Sequence, residues 1–243
     1  MRAESRWCWP ADWQRVDCQI LADQIFAAYR QNGGRAHPAG ARDPGSVRMH
    51  WSREWEYPWA LLASGVRAGQ RVLDLGCGGS PLPVVLAQRG CQVVGVDVGN
   101  VVAGPPSLRS YGDGRWPNPG GRFALVQADL RGPVLPFKDA TFDGVFCISV
   151  LENLALEVVP WLRELARVVV PGGWFVATLD VGRPGAVGVE PNDLDGQGWQ
   201  QRWPAQFTSP VLPPELTGTY WVRGVYLERD RFDWQGAQRE RTT

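Results

Sequence analysis

The chain has 243 residues, of which 44% are hydrophobic and 21% are charged, and its 25 basic residues balance its 25 acidic residues. This composition predicts a single folded domain with a full hydrophobic core and excludes a wholly disordered chain. Because the net charge is zero and no apolar run could cross a bilayer, we expect neither nucleic acid nor membrane as a partner. The first residues lack the apolar core of a signal peptide, so the expected location is cytoplasmic.

Cysteine usage gives no sign of a disulfide framework or of a metal site. The number of cysteines is odd, and no two of them form a C-x-x-C pair. We therefore expect reduced, half-buried thiols and no bound metal. The five residues are Cys8, Cys18, Cys77, Cys91 and Cys147.

The first third of the chain reads as two helices joined by a loop. Apolar residues at helical spacing predict a helix over residues 12–31, followed by a loop rich in Gly, Pro and Arg over 32–49. A second, shorter helix is predicted over 58–64, with Pro58 in its first turn and Gly65 just past its end.

From residue 70 onward, short apolar runs alternate with helical or loop segments. Continuous apolar strands linked by crossovers indicate a parallel sheet that is covered on both faces, with one antiparallel strand late in the chain. The predicted fold class is thus α/β, a three-layer sandwich, with Pro171-Gly172-Gly173 forming the turn before the fifth strand. The predicted strands are 71–75, 92–97, 124–128, 142–149, 174–179 and 220–228, and the predicted helices are 80–90 and 156–169.

A glycine-rich turn follows the first of these strands. Asp74 ends the strand, and Gly76 and Gly78 let a ligand approach the backbone, where amide N–H groups could meet an anionic group. The dinucleotide fingerprint has a third glycine where this chain has Pro81. A carboxylate at Asp74 would repel a pyrophosphate but could accept a hydrogen bond from an ammonium group, so the expected ligand is zwitterionic and lacks phosphate.

The run Val72-Leu73-Asp74-Leu75-Gly76-Cys77-Gly78 resembles the first motif of the class I, Rossmann-like, S-adenosylmethionine-dependent methyltransferases. Further segments resemble later motifs of that family in order and spacing, and together they cover roughly residues 60–180. Two features depart from the family pattern: Asn153 stands where many members have histidine, and residues 98–122 are rich in Pro and Gly. The further segments are 93–97, 126–130, 135–145, 149–153 and 162–173.

The resemblance implies transfer of a methyl group from S-adenosylmethionine to a small-molecule acceptor, in secondary metabolism or glycan tailoring, at an undetermined O, N or C atom. It implies that Asp97 binds the ribose hydroxyls and that Asp129 contacts the adenine amino group. It also divides the chain into a helical cap or lid over 1–65 and a methyltransferase domain over 66–243. The residues expected to bind the cofactor are Asp74, Gly76, Cys77, Gly78, Asp97, Val98, Asp129, Leu130 and Ser149.

Catalytic residues are not fixed by the sequence, although His50 and Glu152 are candidates for a general base. A surface histidine and a helix cap are the simpler explanations of these two residues. Two groups of residues rich in aromatic side chains could contact the cofactor or the acceptor, or could only pack against the rest of the fold. These groups are Arg53, Trp55, Glu56 and Tyr57 before the first strand, and Trp199, Trp203 and Trp221 near the end.

Two other functions remain open at this level. A nicotinamide-dependent oxidoreductase could use a related sheet, although Pro81 and Asp74 argue against it. A protein that binds the cofactor without turning it over would keep the same binding residues. Comparing the binding of NAD and S-adenosylhomocysteine distinguishes the first alternative from a methyltransferase. A search for methylated product distinguishes the second.

Overall fold

The fold is described from a computed structural model of the chain. The structure describes residues 6–7, 12, 14–31, 52–98, 119–132, 134–154, 158–181, 198–201 and 221–229. Within these ranges, none of the helices combines the length and the apolar character that crossing a bilayer requires.

Eight described strands form one sheet, in the order β1-β8-β6-β5-β2-β3-β4, and β7 pairs with β8 outside this path. Strands β2 to β6 run parallel to one another, whereas β8 runs antiparallel to its neighbour β6. The predicted α/β class with a mostly parallel sheet and a late antiparallel strand is therefore confirmed. The strands are β1 (Arg6–Trp7), β2 (Arg71–Leu75), β3 (Gln92–Asp97), β4 (Phe123–Gln127), β5 (Phe142–Ile148), β6 (Val169–Val181), β7 (Trp199–Gln201) and β8 (Trp221–Arg229).

Helices cover both faces of this sheet. Helices α1 (Val16–Gln31), α2 (Arg53–Ser64) and α3 (Leu82–Gln88) share one core with β2, β5 and β6. Helix α4 (Val158–Val168) shares a second core with the opposite face of the same strands. Alternate residues of a strand point to opposite faces, so buried runs such as β2 supply side chains to both cores. This gives the three-layer arrangement that the continuous apolar strands predict.

The strand order places a crevice next to the glycine-rich turn. From β2 the chain moves to β3 and β4 on one side, and then returns to β5 and β6 on the other side. Ligands of open parallel sheets bind at such a reversal, beyond the carboxyl ends of the strands. The loops that follow β2 and β5 meet at this point.

Helix α2 is longer than the sequence pattern predicts. It begins at Arg53 rather than at residue 58, which leaves Pro58 inside the helix instead of in its first turn. A proline there removes one backbone hydrogen bond. Burial of the Trp55 and Tyr57 rings in the core offsets that cost.

The structure differs from one further expectation and decides between two alternatives for Trp199. Pro171-Gly172-Gly173 forms no separate turn but lies within β6, where it shifts the pairing with β5 so that Phe142 opposes Val169 while Gly144 opposes Trp174. For Trp199 the packing alternative holds, because the residue is 1% exposed and its Nε1 donates to the Leu162 carbonyl of α4 at 2.9 Å. Trp203 and the side chain of Trp221 lie outside the described residues.

Candidate functional site

The glycine-rich turn between β2 and α3 is held against β3 by its own backbone. The N–H groups of Gly76 and Cys77 both donate to the Val96 carbonyl, at 2.8 and 3.1 Å. The N–H of Gly78 donates to Oδ2 of Asp97 at 2.9 Å. Three successive amides of the turn are thus bonded internally, which corrects the expectation that they could meet an anionic group.

Gly76 has a positive φ of 65°, which favours glycine, and it lies directly under the side chain of Val150. A Cβ at this position would overlap the two γ-methyl groups of Val150. The sequence predicts that a bound ligand approaches the backbone at this glycine. The structure instead places a protein side chain there, so a substitution at Gly76 acts first on the packing between the two loops.

Asp74 is the buried acidic group of the turn. Its side chain is at the end of β2 with 2% of the residue exposed, and its Oδ2 has no hydrogen-bond partner among the described residues. Burial, and secondarily the carboxylate of Asp97, raise the pKa of Asp74 well above its ordinary value. A group that donates hydrogen bonds and carries positive charge would satisfy this oxygen and favour the ionised form.

The first turn of α2 brings a guanidinium to the same place. Arg53 donates to Glu56 and to Oγ of Ser149, and Ser149 in turn donates to Glu56. Oγ1 of Thr178 also donates to Glu56, at 2.9 Å. Burial disfavours a charged guanidinium, but the Glu56 carboxylate outweighs it and raises the pKa of Arg53.

Ser149 follows β5 and has a φ of 52°, a left-handed conformation that costs energy for a non-glycine residue. Its N–H donates to the carbonyl and to Oγ1 of Thr178, at 3.0 and 3.1 Å, and its hydroxyl joins the Arg53–Glu56 pair. These bonds fix the strained residue. They also fix the loop that carries Val150 over the glycine-rich turn.

These parts enclose a cavity of about 190 Å³ at the carboxyl ends of β2 and β5. Its walls combine the unpaired carboxyl oxygen of Asp74 with the guanidinium of Arg53, on a floor of glycine-turn backbone. Of the predicted cofactor-binding residues, the structure brings together five around this cavity. They are Asp74, Gly76, Cys77, Gly78 and Ser149.

The other four predicted cofactor-binding residues are not among those that line this cavity. Asp97 contacts the turn through Gly78, and Val98 is 53% exposed just beyond β3. Asp129 is exposed and forms a two-pronged ion pair with Arg131, whose Nη2 lies 2.8 Å from its Oδ2; Arg131 lowers the pKa of Asp129 to about 2. The side chain of Leu130 is buried in the core beneath α4. Their roles toward a ligand stay predictions.

The aromatic and charged cluster before the first strand divides into two roles. Arg53 and Tyr57 line the cavity. Trp55 packs in the core, stacked on Trp59 at 5.3 Å between ring centroids, and its Nε1 donates to Asp12 at 2.9 Å. The sequence missed that Glu56 bridges α2 to β5 and β6. The only signal was a charged residue at helical spacing from Arg53.

Glu152, one of the two candidate bases, lies in a short 3-10 helix over Leu151–Asn153, directly after the cavity-lining loop. It is buried, and burial raises its pKa to about 8. His50, the other candidate, lies outside the described residues. In the part of the chain that the structure describes, no group of three or more His, Cys, Asp and Glu side chains is arranged to hold a metal ion.

Residues 73–177, which include the glycine-rich turn and the strands on both sides of the cavity, match the family model of a methyltransferase domain. Over these residues the chain is similar to a methyltransferase domain, on a fold that solved methyltransferases share. The match begins within β2 and ends within β6, so it spans the crevice that the strand order creates.

Among curated relatives, the ubiquinone biosynthesis O-methyltransferase of Pseudomonas aeruginosa (strain LESB58) is 30% identical over 142 residues, covering 54% of this chain and 57% of the relative. The protein of the same description from Aeromonas salmonicida (strain A449) is 31% identical over 133 residues, covering 54% and 52%. The chain therefore spans about half the length of the curated relatives it matches.

Solved structures share the methyltransferase fold over more of the chain. A candidate sarcosine dimethylglycine methyltransferase from Galdieria sulphuraria has a TM-score of 0.60 at 14% identity, covering 87% of this chain and 99% of that one. The [4+2]-cyclase SpnF has a TM-score of 0.58 at 16% identity, covering 90% and 97%. An S-adenosylmethionine-dependent methyltransferase from Mesorhizobium loti has a TM-score of 0.52 at 20% identity, covering 71% and 98%. At such identities these similarities establish the fold alone.

Proposed function

We propose that this protein transfers a methyl group from S-adenosylmethionine to a small-molecule acceptor. One observation carries the proposal: a single cavity is lined by Arg53 and by Asp74, whose buried Oδ2 has no hydrogen-bond partner among the described residues. The amino-acid end of S-adenosylmethionine has one ammonium and one carboxylate, which these two groups complement. Arg53 has five N–H donors, so its bonds to Glu56 and Ser149 leave others for a ligand carboxylate.

The residues of the chain divide the binding of this cofactor among them. Asp74 would hold the ammonium, Arg53 the carboxylate, Asp97 the ribose and Asp129 the adenine amino group. When bound, the cofactor supplies a methyl group already activated on a sulfonium. The protein then mainly has to orient the acceptor and exclude water. Val150 and Ser149 would form the wall nearest the acceptor.

A dinucleotide fits this turn less well. A pyrophosphate needs backbone N–H donors at the glycine-rich turn. Here the amides of Gly76, Cys77 and Gly78 already donate to Val96 and Asp97. The buried carboxyl of Asp74 would add repulsion, so a nicotinamide-dependent oxidation is disfavoured on two grounds.

The relatives favour a small-molecule acceptor, because the curated proteins that match are described as O-methyltransferases of ubiquinone biosynthesis. A role in secondary metabolism or glycan tailoring, a cytoplasmic location and a cap formed by residues 1–65 are parts of the same proposal. Helices α1 and α2 share a core with the sheet, which supports a cap that is built into the domain rather than tethered to it.

Calorimetry with S-adenosylhomocysteine tests the proposal directly. We expect the protein to bind it and to bind NAD at least a hundredfold more weakly. The isosteric change Asp74→Asn should weaken S-adenosylhomocysteine by roughly tenfold to a hundredfold, because it removes a charge-assisted hydrogen bond to the ammonium. Asp143→Asn is the matched control, since Asp143 accepts from the Arg71 N–H at the opposite edge of the sheet.

The proposal fails if NAD binds as tightly as S-adenosylhomocysteine. It also fails if Asp74→Asn binds S-adenosylhomocysteine as tightly as the parent protein and the Asp143→Asn control do. Binding of S-adenosylhomocysteine with no methylated product from a broad acceptor panel would instead support the non-catalytic alternative.

A further inference from the structure

Three buried carboxyl groups converge beside the cavity, at the carboxyl ends of β5 and β6. We call Glu56, Glu152 and Asp180 the acidic corner. Glu56 reaches it from the first turn of α2, Glu152 from the 3-10 helix after β5, and Asp180 from the end of β6. Asp180 and Thr178 are two residues apart on one strand and so share the face that α2 covers.

Both carboxyl oxygens of Glu56 already accept hydrogen bonds within the protein. One of its carboxyl oxygens accepts from Ser149 and Thr178, and the other accepts from Arg53. Burial alone would raise its pKa, but Arg53 and the hydrogen bonds of these hydroxyls lower it. Glu56 is therefore the ionised, structural member of the corner.

Glu152 is the opposite case. The residue is 1% exposed, and within the described ranges no group meets hydrogen-bond geometry with either of its carboxyl oxygens, although the backbone amides of Glu152 and Asp180 lie close enough to favour its ionised form. The charged groups that face it are Asp180 and Glu56, and the thiol of Cys147 lies close by. Burial raises the pKa of Glu152 to about 8; Asp180 and Glu56 add to this, and nearby backbone amides partly oppose it.

An unpaired buried carboxyl group costs stability, unless a ligand uses it. Around Glu152 the described groups are acidic, and the guanidinium of Arg53 is already bonded to Glu56. A neutral hydroxyl would donate one hydrogen bond and could satisfy only one of the two carboxyl oxygens. An ammonium group has several N–H donors for both oxygens, and its positive charge favours the ionised form of Glu152.

We propose that the acidic corner binds the protonated nitrogen of an amine acceptor, with Glu152 as the residue that pairs with it. This inference rests on the proposed function, since it names the chemical class of the acceptor. Glu152 does not itself line the cavity, but it lies two residues after Val150, which does, so the amine would reach it past the loop of Ser149 and Val150.

The test compares 4-fluorobenzylammonium with 4-fluorobenzyl alcohol, which have the same ring and differ in the charged group. Each is titrated into protein saturated with S-adenosylhomocysteine and followed by fluorine NMR at pH 6 and pH 8. We expect the ammonium to bind at least tenfold more tightly than the alcohol. Its affinity should rise between pH 6 and pH 8, because Glu152 must ionise to pair with it, whereas the alcohol should show no such rise.

Variants locate the site. Glu152→Gln should lower the affinity for the ammonium tenfold or more, abolish its dependence on pH and leave the affinity for S-adenosylhomocysteine unchanged. Asp139→Asn is the control, because Asp139 is an exposed carboxylate that pairs with Arg167 before β5, at the other edge of the sheet. Circular dichroism of both variants verifies that they fold.

The inference is overturned if the alcohol binds as well as the ammonium, if neither binds, or if Glu152→Gln binds the ammonium like the parent protein. Failure of the proposed function looks different, because S-adenosylhomocysteine itself would then not bind. In that case the titration is repeated without it on the Asp74→Asn protein, which removes the other candidate ammonium site, and the same comparison of ligands decides the role of Glu152.

Discussion

The two sides of the crevice are built in contrasting ways. The glycine-rich turn takes its parts from neighbouring residues: Asp74, Gly76 and Gly78 follow one another, and their bonds go to the adjacent strand β3. The acidic corner takes Glu56, Glu152 and Asp180 from three segments, and the bond from Thr178 to Glu56 joins residues 122 positions apart. The turn is formed by residues that are adjacent in the sequence, whereas the corner forms only when the folded chain brings distant residues together.

The two sides also differ in how completely their polar groups are paired. The turn satisfies three successive amides and leaves one carboxyl oxygen of Asp74 for a ligand. The corner combines a fully bonded Glu56 with a Glu152 that has no hydrogen bond in the described part of the chain. In the proposals above, the turn holds the cofactor and the corner holds the amine of the acceptor.

Removing Glu56 should have the largest effect, because it breaks the corner and leaves Arg53 without its carboxylate. We expect Glu56→Ala to lower the free energy of unfolding by about 4 kcal/mol, measured by urea denaturation. The double variant Arg53→Ala/Glu56→Ala should lose less than the single variant, since it leaves no uncompensated buried charge. Equal or larger loss in the double variant would show that the two residues are not coupled.

Substituting Gly76 tests the packing of the glycine-rich turn, again through the free energy of unfolding. Gly76→Ala should cost about 3 kcal/mol, because the methyl group overlaps Val150 and because alanine is strained at positive φ. Adding Val150→Ala should recover the part due to overlap and leave the part due to φ. If Val150→Ala recovers nothing, the loop after β5 does not pack on the turn in the way described.

The pH dependence of stability should distinguish the unpaired from the paired carboxyl groups. The pKa of Glu152 is raised from its ordinary 4.5 to about 8, so the folded state holds a proton that the unfolded state loses above pH 4.5. Its contribution to stability therefore falls as pH rises from 4.5 to 8. Glu152→Gln removes this dependence, and we expect it to gain about 2 kcal/mol relative to the parent between pH 5 and pH 7.

Glu164 provides the contrast for that measurement. It is buried like Glu152, but it accepts from the Leu135 N–H at 2.6 Å and from Arg167. Glu164→Gln should therefore destabilise the protein at every pH in the same range. Parallel pH profiles for the two variants would contradict the view that Glu152 is unpaired.

The smallest expected effect belongs to Asp97. Asp97→Ala should weaken S-adenosylhomocysteine by roughly tenfold, about 1.4 kcal/mol, because it removes the predicted ribose contact and the acceptor that holds the Gly78 N–H. Calorimetry measures this loss. Asp129→Ala is the comparison, since Arg131 already occupies the Asp129 carboxylate, and unchanged affinity for both variants would count against the predicted adenosine contacts.

Much of the fold could be predicted from the sequence because its signals are local. The buried strands β2, β3 and β5 are continuous apolar runs, and β8 was predicted to within one residue at each end. The errors arose where packing outweighed a local signal. Pro58 indicates a helix start, but the buried side chains before it extend α2 backward, and Pro171-Gly172-Gly173 indicates a turn that β6 instead accommodates.

The sequence by itself determined the order of strands and helices and the glycine-rich turn with Asp74, since these depend on the periodicity and conformational preferences of adjacent residues. Only the tertiary structure decided that Arg53 and Asp74 line one cavity, that the turn's amides are internally bonded and that Glu152 is buried with no hydrogen bond to the described residues. These properties depend on distances between segments far apart in the chain. Desolvation and charge pairing act through such distances, and sequence spacing does not encode them.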